Sequence, residues 1–213
     1  MRALVDKILR SNKPVIYAGG GVINSNASQE LTDLAKYLNF PVTNTLMGLG
    51  CYPGDDSQFL QMLGMHGSYE ANMAMHDCDL LIAVGARFDD RITGRLDKFS
   101  PDATVVHIDV DPSSISKNIK AHIPIVGDVK GVLEKIASRI ISKKRKPQNI
   151  EKWWEQINEW RKKDSFKYSQ DDEIIKPQFV IDRLYEITKG DAFITTDVGQ
   201  HQMWAAQLYK FNK

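Results

Sequence analysis

The sequence predicts an α/β chain built on a doubly wound parallel sheet, and three observations predict it. Short apolar runs alternate with segments of helical periodicity, the pattern of successive βαβ units. The run Leu80 to Val84 holds no polar residue, as a central strand covered on both faces requires. The runs end in Gly, Asp or Arg, residues suited to the carboxyl ends of strands, where sheets of this class bind ligands.

The elements follow in order. The opening Met1 to Arg10 reads as the amphipathic start of a helix and not as a signal peptide, because Asp6 and Lys7 interrupt any hydrophobic region. Pro14 to Ala18 is the first strand and ends at Gly19-Gly20-Gly21. Asn26 with Gln29 three residues on resembles a capping box. It precedes Leu31, Leu34, Ala35 and Leu38, which share one helical face. Pro41 to Thr45 is a second strand, leading into a loop with Gly48, Gly50 and Gly54. A helix over Tyr69 to Met75 feeds the strand Leu80 to Val84. Thr104 to Val110 is stopped by Asp111-Pro112, and Ile123 to Val126 ends at Gly127-Asp128. Val132, Leu133, Ile136 and Ile140 then give a helix its apolar stripe.

Beyond that helix the composition changes. Lys143, Lys144, Arg145, Lys146 and Pro147 read as a linker. Trp153, Trp154, Ile157 and Trp160 fall on one side of a following helix, which predicts packing on a neighbouring domain or subunit. A helix carrying Phe179, Val180, Leu184 and Ile187 precedes a strand at Ala192 to Thr195, which enters Asp197-Val198-Gly199-Gln200-His201. The chain therefore divides at 1–142, 143–170 and 171–213, the last part reading as the opening of a further domain.

Composition removes several classes of function. With 28 basic and 27 acidic residues the formal charge is +1, so no global field favours nucleic acid or an anionic membrane. The longest apolar runs fall far short of the roughly 20 residues a bilayer span needs. Cys51 and Cys78 are the only cysteines, and two without a C-x-x-C pair or a leader suit free thiols in the cytoplasm. His66 and His76 lack the second pair of ligands that a zinc site needs. Neither a Gly-x-Ser-x-Gly elbow nor a Walker sequence occurs.

The candidate site residues cluster at strand ends. Gly85 would let a ligand approach the backbone, while Arg87 and Arg91 supply forked, permanently charged donors for phosphate or carboxylate. Asp89 and Asp90, set between them, would orient the guanidinium groups. Gly19, Gly20 and Gly21 suit a pyrophosphate against a helix start, though three glycines also make an ordinary turn. Asp109 and Asp111 suit ribose hydroxyls and equally the cap of a helix starting near Ser113. Gly127-Asp128 repeats the pattern at the next strand. His66, in Gly64-Met65-His66-Gly67, is either a ligand contact or an exposed loop histidine. Collectively these ends favour a nucleotide-like ligand.

Taken together, Tyr17-Ala18-Gly19-Gly20-Gly21, Thr45-Leu46-Met47-Gly48-Leu49-Gly50 and Leu63-Gly64-Met65-His66-Gly67 resemble the acetolactate synthase (acetohydroxyacid synthase) large catalytic subunit family. So do Gly85-Ala86-Arg87-Phe88-Asp89-Asp90-Arg91, His107-Ile108-Asp109-Val110-Asp111 and Thr196-Asp197-Val198-Gly199-Gln200-His201-Gln202-Met203-Trp204. The resemblance runs in order from about Lys13 to the last residue. It implies the central domain of a three-domain thiamine diphosphate enzyme, plus the first elements of the diphosphate-binding domain. That central domain is a Rossmann-like sheet of about six parallel strands, a DHS-like fold that binds FAD or NAD. By the same resemblance FAD is held by Gly19, Gly20, Gly21, Thr45, Leu46, Met47, Gly64, His66, Gly85, Ala86, Arg87, Asp89 and Arg91. Ile108, Asp109, Asp128 and Val129 complete the nucleotide end. Arg91 is further implied to hold the acceptor 2-keto acid carboxylate, and Gly199, Gln200 and His201 to meet the thiamine diphosphate phosphates.

The implied reaction joins two pyruvates into acetolactate with loss of CO2, or pyruvate and 2-oxobutyrate into acetohydroxybutyrate, for branched-chain amino-acid synthesis. It needs thiamine diphosphate and Mg2+, a glutamate from the first domain and a Gly-Asp-Gly motif from the third. Gly127-Asp128-Val129 and Gly190-Asp191-Ala192 do not supply that motif. The 213 residues are therefore expected to be inactive alone and to retain FAD weakly. Implied partners are further copies of the subunit, a regulatory small subunit and 2-keto acids. Three rival readings stand beside it: a flavin-free catabolic acetolactate synthase, an NAD-binding domain of sirtuin-like or deoxyhypusine-synthase-like fold, and a non-catalytic interaction module.

Overall fold

In the computed structural model, residues 2–144 and 147–212 are described. Strands β1 (Pro14–Ala18), β2 (Val42–Asn44), β3 (Phe59–Met62), β4 (Leu80–Val84), β5 (Thr104–Asp109) and β6 (Ile123–Val126) form one parallel sheet. Their order is β3-β2-β1-β4-β5-β6. The direction of winding reverses between β1 and β4, which puts the topological switch point outside their carboxyl ends. Register sets Ala18 beside Val84 and Val84 beside Ile108, so these three strands end level.

Burial explains the apolar runs. Every residue of β1 and β4 is buried, because helices cover both faces of the sheet. Helices α1 (Arg2–Ile8), α2 (Gly20–Asn24) and α3 (Ser28–Leu38) pack with α6 (Val129–Ser142). Across the sheet, α4 (Tyr69–Asp77) packs with α7 (Glu151–Arg161), while α5 (Asp90–Thr93) is a single turn on the loop after β4. The helical faces read from sequence are the buried ones: Leu31, Leu34, Ala35 and Leu38 on α3, and Val132, Leu133, Ile136 and Ile140 on α6.

Several expectations are corrected. Asn26 and Gln29 form no capping box. The unpredicted α2 occupies Gly20–Asn24, Asn26 takes the left-handed turn after it (φ 50°), and Ala27 is the N-cap of α3. Gln29 instead donates to Asp33 at 2.8 Å. Strand β3 was unpredicted, since Phe-Leu-Gln-Met has no β-branched residue and its pairing with β2 is irregular. No helix starts near Ser113. The Asp111 carboxylate accepts from the Ser113 N–H at 2.8 Å and from the Ser113 and Ser114 hydroxyls, and the chain turns there.

The tryptophan helix packs on the sheet domain that precedes it, one of the two kinds of surface expected for it. Trp153 and Ile157 are buried, and Trp153 Nε1 donates to the Pro14 carbonyl at 3.0 Å. Trp154 Nε1 donates to the Asn39 carbonyl at 2.9 Å, and Arg161 to those of Ser57 and Phe59 at 2.8 and 3.0 Å. Helix α7 thus fastens the amino-end side of β1, β2 and β3. Of the basic stretch before it, Arg145 and Lys146 lie outside the described residues.

The segment Ala192 to Thr195 is not a strand, and Phe193 is fully exposed. No described strand lies alongside it, and a lone extended segment gains no ladder. Helices α8 (Pro177–Thr188) and α9 (Gln200–Leu208) pack on one another, with the Tyr185 and Tyr209 rings 5.5 Å apart. They dock on the loops around β3: Gly54 N donates to the Phe211 carbonyl at 2.9 Å, and Gln207 Nε2 to that of His66 at 2.8 Å.

Candidate functional site

A chain of backbone hydrogen bonds crosses the carboxyl rim of the sheet. Thr45 N donates to the Ala18 carbonyl at 2.9 Å and Gly19 N to that of Val84 at 2.9 Å. Gly85 N donates to the Ile108 carbonyl at 2.8 Å and Gly127 N to that of Asp109 at 3.0 Å. The predicted strand-end residues from Gly19, Thr45, Gly85, Asp109 and Asp128 onward therefore lie along one rim.

The glycines there admit each other. A Cβ on Gly19 would lie 2.2 Å from the Gly85 carbonyl oxygen, and one on Gly21 2.6 Å from Gly85 Cα. Gly85 itself is left-handed (φ 58°), and its Cβ would sit 2.6 Å from Gly21 Cα. The Gly21 backbone thus fills the Cβ side of Gly85, while the residue itself stays partly exposed. Gly20 points at Met47, a side chain that is itself exposed.

The loop after β4 alternates in burial: Ala86 and Phe88 are buried, Arg87 and Asp89 exposed. Asp89 Oδ2 accepts from Arg87 at 3.1 Å, as expected of an orienting carboxylate. Asp90 does not orient a guanidinium; its Oδ1 accepts from the backbone N–H of Arg91 at 2.9 Å. Among the described residues, Arg91 has no ion-pair partner.

The remaining predicted residues distribute as follows. Asp109 is buried, accepts from Asp111 N at 2.9 Å through Oδ1, and keeps Oδ2 at 4.0 Å from His107 Nε2. Ile108 is wholly buried in β5. Asp128 caps α6 through the Gly131 N–H at 3.1 Å, with Val129 buried behind it. Leu46 and Met47 lie on a 3-10 turn after β2, where Thr45 Oγ1 and Asn44 Oδ1 are buried without partners among the described residues. Gly64 is left-handed (φ 97°) and packs on the Arg91 carbonyl, to which Met65 N donates at 3.0 Å. His66 is exposed beside Trp204 and Gln207 of α9. Gly199, Gln200 and His201 begin α9, and among the described residues no hydrogen bond ties them to the rim.

Residues to which the sequence assigned no role also build the rim. Phe88 and His107 hold the arginine loop from within, and Asn118 holds it from the surface. Asn118 stands in a loop with no motif of its own, so nothing in the sequence marks it. A cleft of about 320 Å³ between β3 and α9, lined by Gln61, Tyr168, Asp182 and Tyr209, contains no predicted site residue.

This rim presents two exposed guanidinium groups, suited to anions, and the carboxylate of Asp109 at the end of β5. Residues 1–136 match the family described as thiamine pyrophosphate enzyme, central domain. The chain belongs to that family. Its similarity to curated members extends past the central domain. It is 52% identical over 206 residues to the acetolactate synthase large subunit of Buchnera aphidicola subsp. Schizaphis graminum, covering 97% of this chain and 36% of that protein. It is 49% identical over 216 residues to the acetolactate synthase isozyme 3 large subunit of Escherichia coli K12, covering 100% of this chain and 38% of that one. A probable acetolactate synthase large subunit of Methanocaldococcus jannaschii is 47% identical over 209 residues. The chain thus spans a little over a third of the length of the relatives it matches.

Proposed function

We propose that this chain is the central, flavin-binding part of an acetolactate synthase large subunit, continued by the first elements of its thiamine diphosphate domain. The observation that carries the reading is 52% identity over 97% of the chain to a protein of that name. The parent would join pyruvate to a second pyruvate or to 2-oxobutyrate, using thiamine diphosphate and Mg2+. We divide the chain at 1–142, 143–170 and 171–213, with residues 143–170 a connector whose helix α7 packs back on the sheet.

The residues present fit a flavin dinucleotide. Arg87 and Arg91 would meet the diphosphate, and Asp109 a ribose hydroxyl through Oδ2. Thr45 Oγ1, buried without a partner among the described residues, would gain one. Gly19, Gly20, Gly21, Leu46, Met47, Gly64, His66, Gly85, Asp89 and Asp128 would line the remainder, with the buried Ala86, Ile108 and Val129 packed behind them. In the parent the flavin would serve as a bound group left unchanged by the net reaction. Arg91 would also hold the carboxylate of the acceptor, and Gly199, Gln200 and His201 would face the thiamine phosphates. Relatives are named large subunits, so a regulatory small subunit and further copies of the large one are the partners to seek. We place the protein in the cytoplasm; among the described residues no helix is long and apolar enough to cross a membrane.

The test is a chimaera in which these residues replace the matched segment of the Escherichia coli isozyme 3 large subunit. The expected product carries flavin absorbance and forms acetolactate. A folded chimaera without flavin would overturn the reading. The 213 residues alone, given thiamine diphosphate, Mg2+ and pyruvate, should form no acetolactate and hold FAD only weakly.

A further inference from the structure

Three consecutive carbonyls of the loop after β4 are each held by a side chain from β5 or the loop beyond it. His107 Nε2 lies 2.9 Å from the Ala86 oxygen. Asn118 Nδ2 donates to the Phe88 oxygen at 2.9 Å and to the Arg87 oxygen at 3.4 Å. Between them the Phe88 backbone is left-handed (φ 58°), a conformation costly for a residue with a bulky side chain. The Phe88 ring supplies the compensation. It is buried among Tyr17, Phe99 and His107, with centroids 5.6, 5.9 and 5.1 Å away.

A carbonyl oxygen can only accept, so the bond to Ala86 requires the hydrogen of His107 on Nε2. The ring is fully buried, and that burial pushes its pKa below the ordinary histidine value, against the opposing pull of the Ala86 carbonyl and Asp109. Its Nδ1, buried with no partner among the described residues, then carries a lone pair and no proton.

We propose that His107 and Asn118 are positioning residues for the Gly85–Arg91 loop. By holding the carbonyls of Ala86, Arg87 and Phe88, they fix the path of the loop, keep Arg87 exposed at the rim and set the start of α5, which carries Arg91. Neither touches the ligand. The consequence for binding rests on the anion-binding reading of the crevice, whereas the consequence for loop order does not.

The experiment uses the full 213-residue chain and 15N NMR at pH 7. In the unaltered protein the amides of Arg87 to Arg91 should show order parameters of about 0.85, and the His107 ring the neutral, Nε2-protonated tautomer. Asn118→Ala and His107→Phe should drop those loop order parameters below about 0.6 while β1 and β4 stay rigid. His107→Gln, whose amide nitrogen can reach the position of Nε2, should restore them; a merely space-filling role would not give that rescue. Asn118 is exposed, so its alanine variant remains informative if His107→Phe fails to fold. Inorganic pyrophosphate is the probe, expected to bind about tenfold more weakly to Asn118→Ala. Unchanged loop order in Asn118→Ala, or an Nδ1-protonated His107, overturns the proposal. If pyrophosphate fails to bind the unaltered chain while the loop still loosens in Asn118→Ala, the positioning stands and the anion-binding reading falls.

Discussion

At the amino-end side of β1 to β3, carbonyl groups are taken by side chains of α7, Trp153 on Pro14, Trp154 on Asn39, Arg161 on Ser57 and Phe59. At the carboxyl ends the strands are instead joined by backbone hydrogen bonds between loops that carry Gly19, Gly85 and Gly127. The first solution buries large aromatic surface, with the Trp153 and Trp160 rings edge-on at 5.5 Å. The second has glycines pack against backbone, which leaves Arg87 and Arg91 outside and exposed. The difference separates stability from binding: one rim holds the sheet together, and the other leaves its two guanidinium groups outside the packing.

The amino rim should be the costlier one to break. Trp153→Ala removes a buried indole and leaves the Pro14 carbonyl unpaired, and a loss of about 4 kcal/mol is expected in urea unfolding. A loss below about 1 kcal/mol would put the helix outside the cooperative unit. Gly85→Ala tests the carboxyl rim through the backbone. The left-handed residue costs an alanine about 1 kcal/mol, and overlap with Gly21 adds roughly 1–3 kcal/mol, so about 3 kcal/mol is expected in the same assay.

How far the sequence revealed each rim follows from the same contrast. The buried strands β1 and β4 were legible because burial on both faces writes an uninterrupted apolar run. Glycine, Asp109 and the two arginines marked the carboxyl rim because strand-end chemistry is local in sequence. The amino rim was legible only in part: three tryptophans announced a helix packed on a neighbouring surface, but not which groups it covers, because Pro14 and Asn39 are over a hundred residues away. Strand β3 escaped because an edge strand of mixed residues has no periodic signature. Asn118 escaped because its role exists only once β5 and β4 are side by side.

The two cysteines stand one near each rim and sharpen the comparison through pH. Cys51 follows the turn after β2, Cys78 precedes β4, and burial pushes both thiols up to about 12. The folded value lies above the roughly 8.5 of an unfolded cysteine. Each thiol's contribution is therefore complete below pH ~8.5 and is lost as pH rises toward the folded value, because the unfolded chain ionises first. At pH 10 the loss should be about 2 kcal/mol per thiol relative to pH 7. Unfolding curves of Cys51→Ala and Cys78→Ala at both pH values check it, each variant cancelling its own share. If Cys78→Ala flattens the profile and Cys51→Ala does not, the carboxyl rim is already open in the native state.

The smallest effect on stability should come from the residues with the largest effect on binding. Arg87 and Arg91 are exposed, and the Arg87–Asp89 pair is of the surface kind that contributes little, so either alanine variant should shift unfolding by no more than about 0.5 kcal/mol. A charge-assisted hydrogen bond to an anion is worth roughly 1.5–3 kcal/mol, which predicts at least about a tenfold loss of pyrophosphate affinity for each. The two should not be equal. Asp89 already shares the charge of Arg87, whereas Arg91 has no ion-pair partner among the described residues, so Arg91→Ala should cost more. Asp89→Asn should then strengthen pyrophosphate binding by releasing Arg87, most visibly at low salt, where screening is weakest. Weaker binding in Asp89→Asn would mean that the carboxylate's hold on the guanidinium outweighs its charge, and that this rim is built for orientation before attraction.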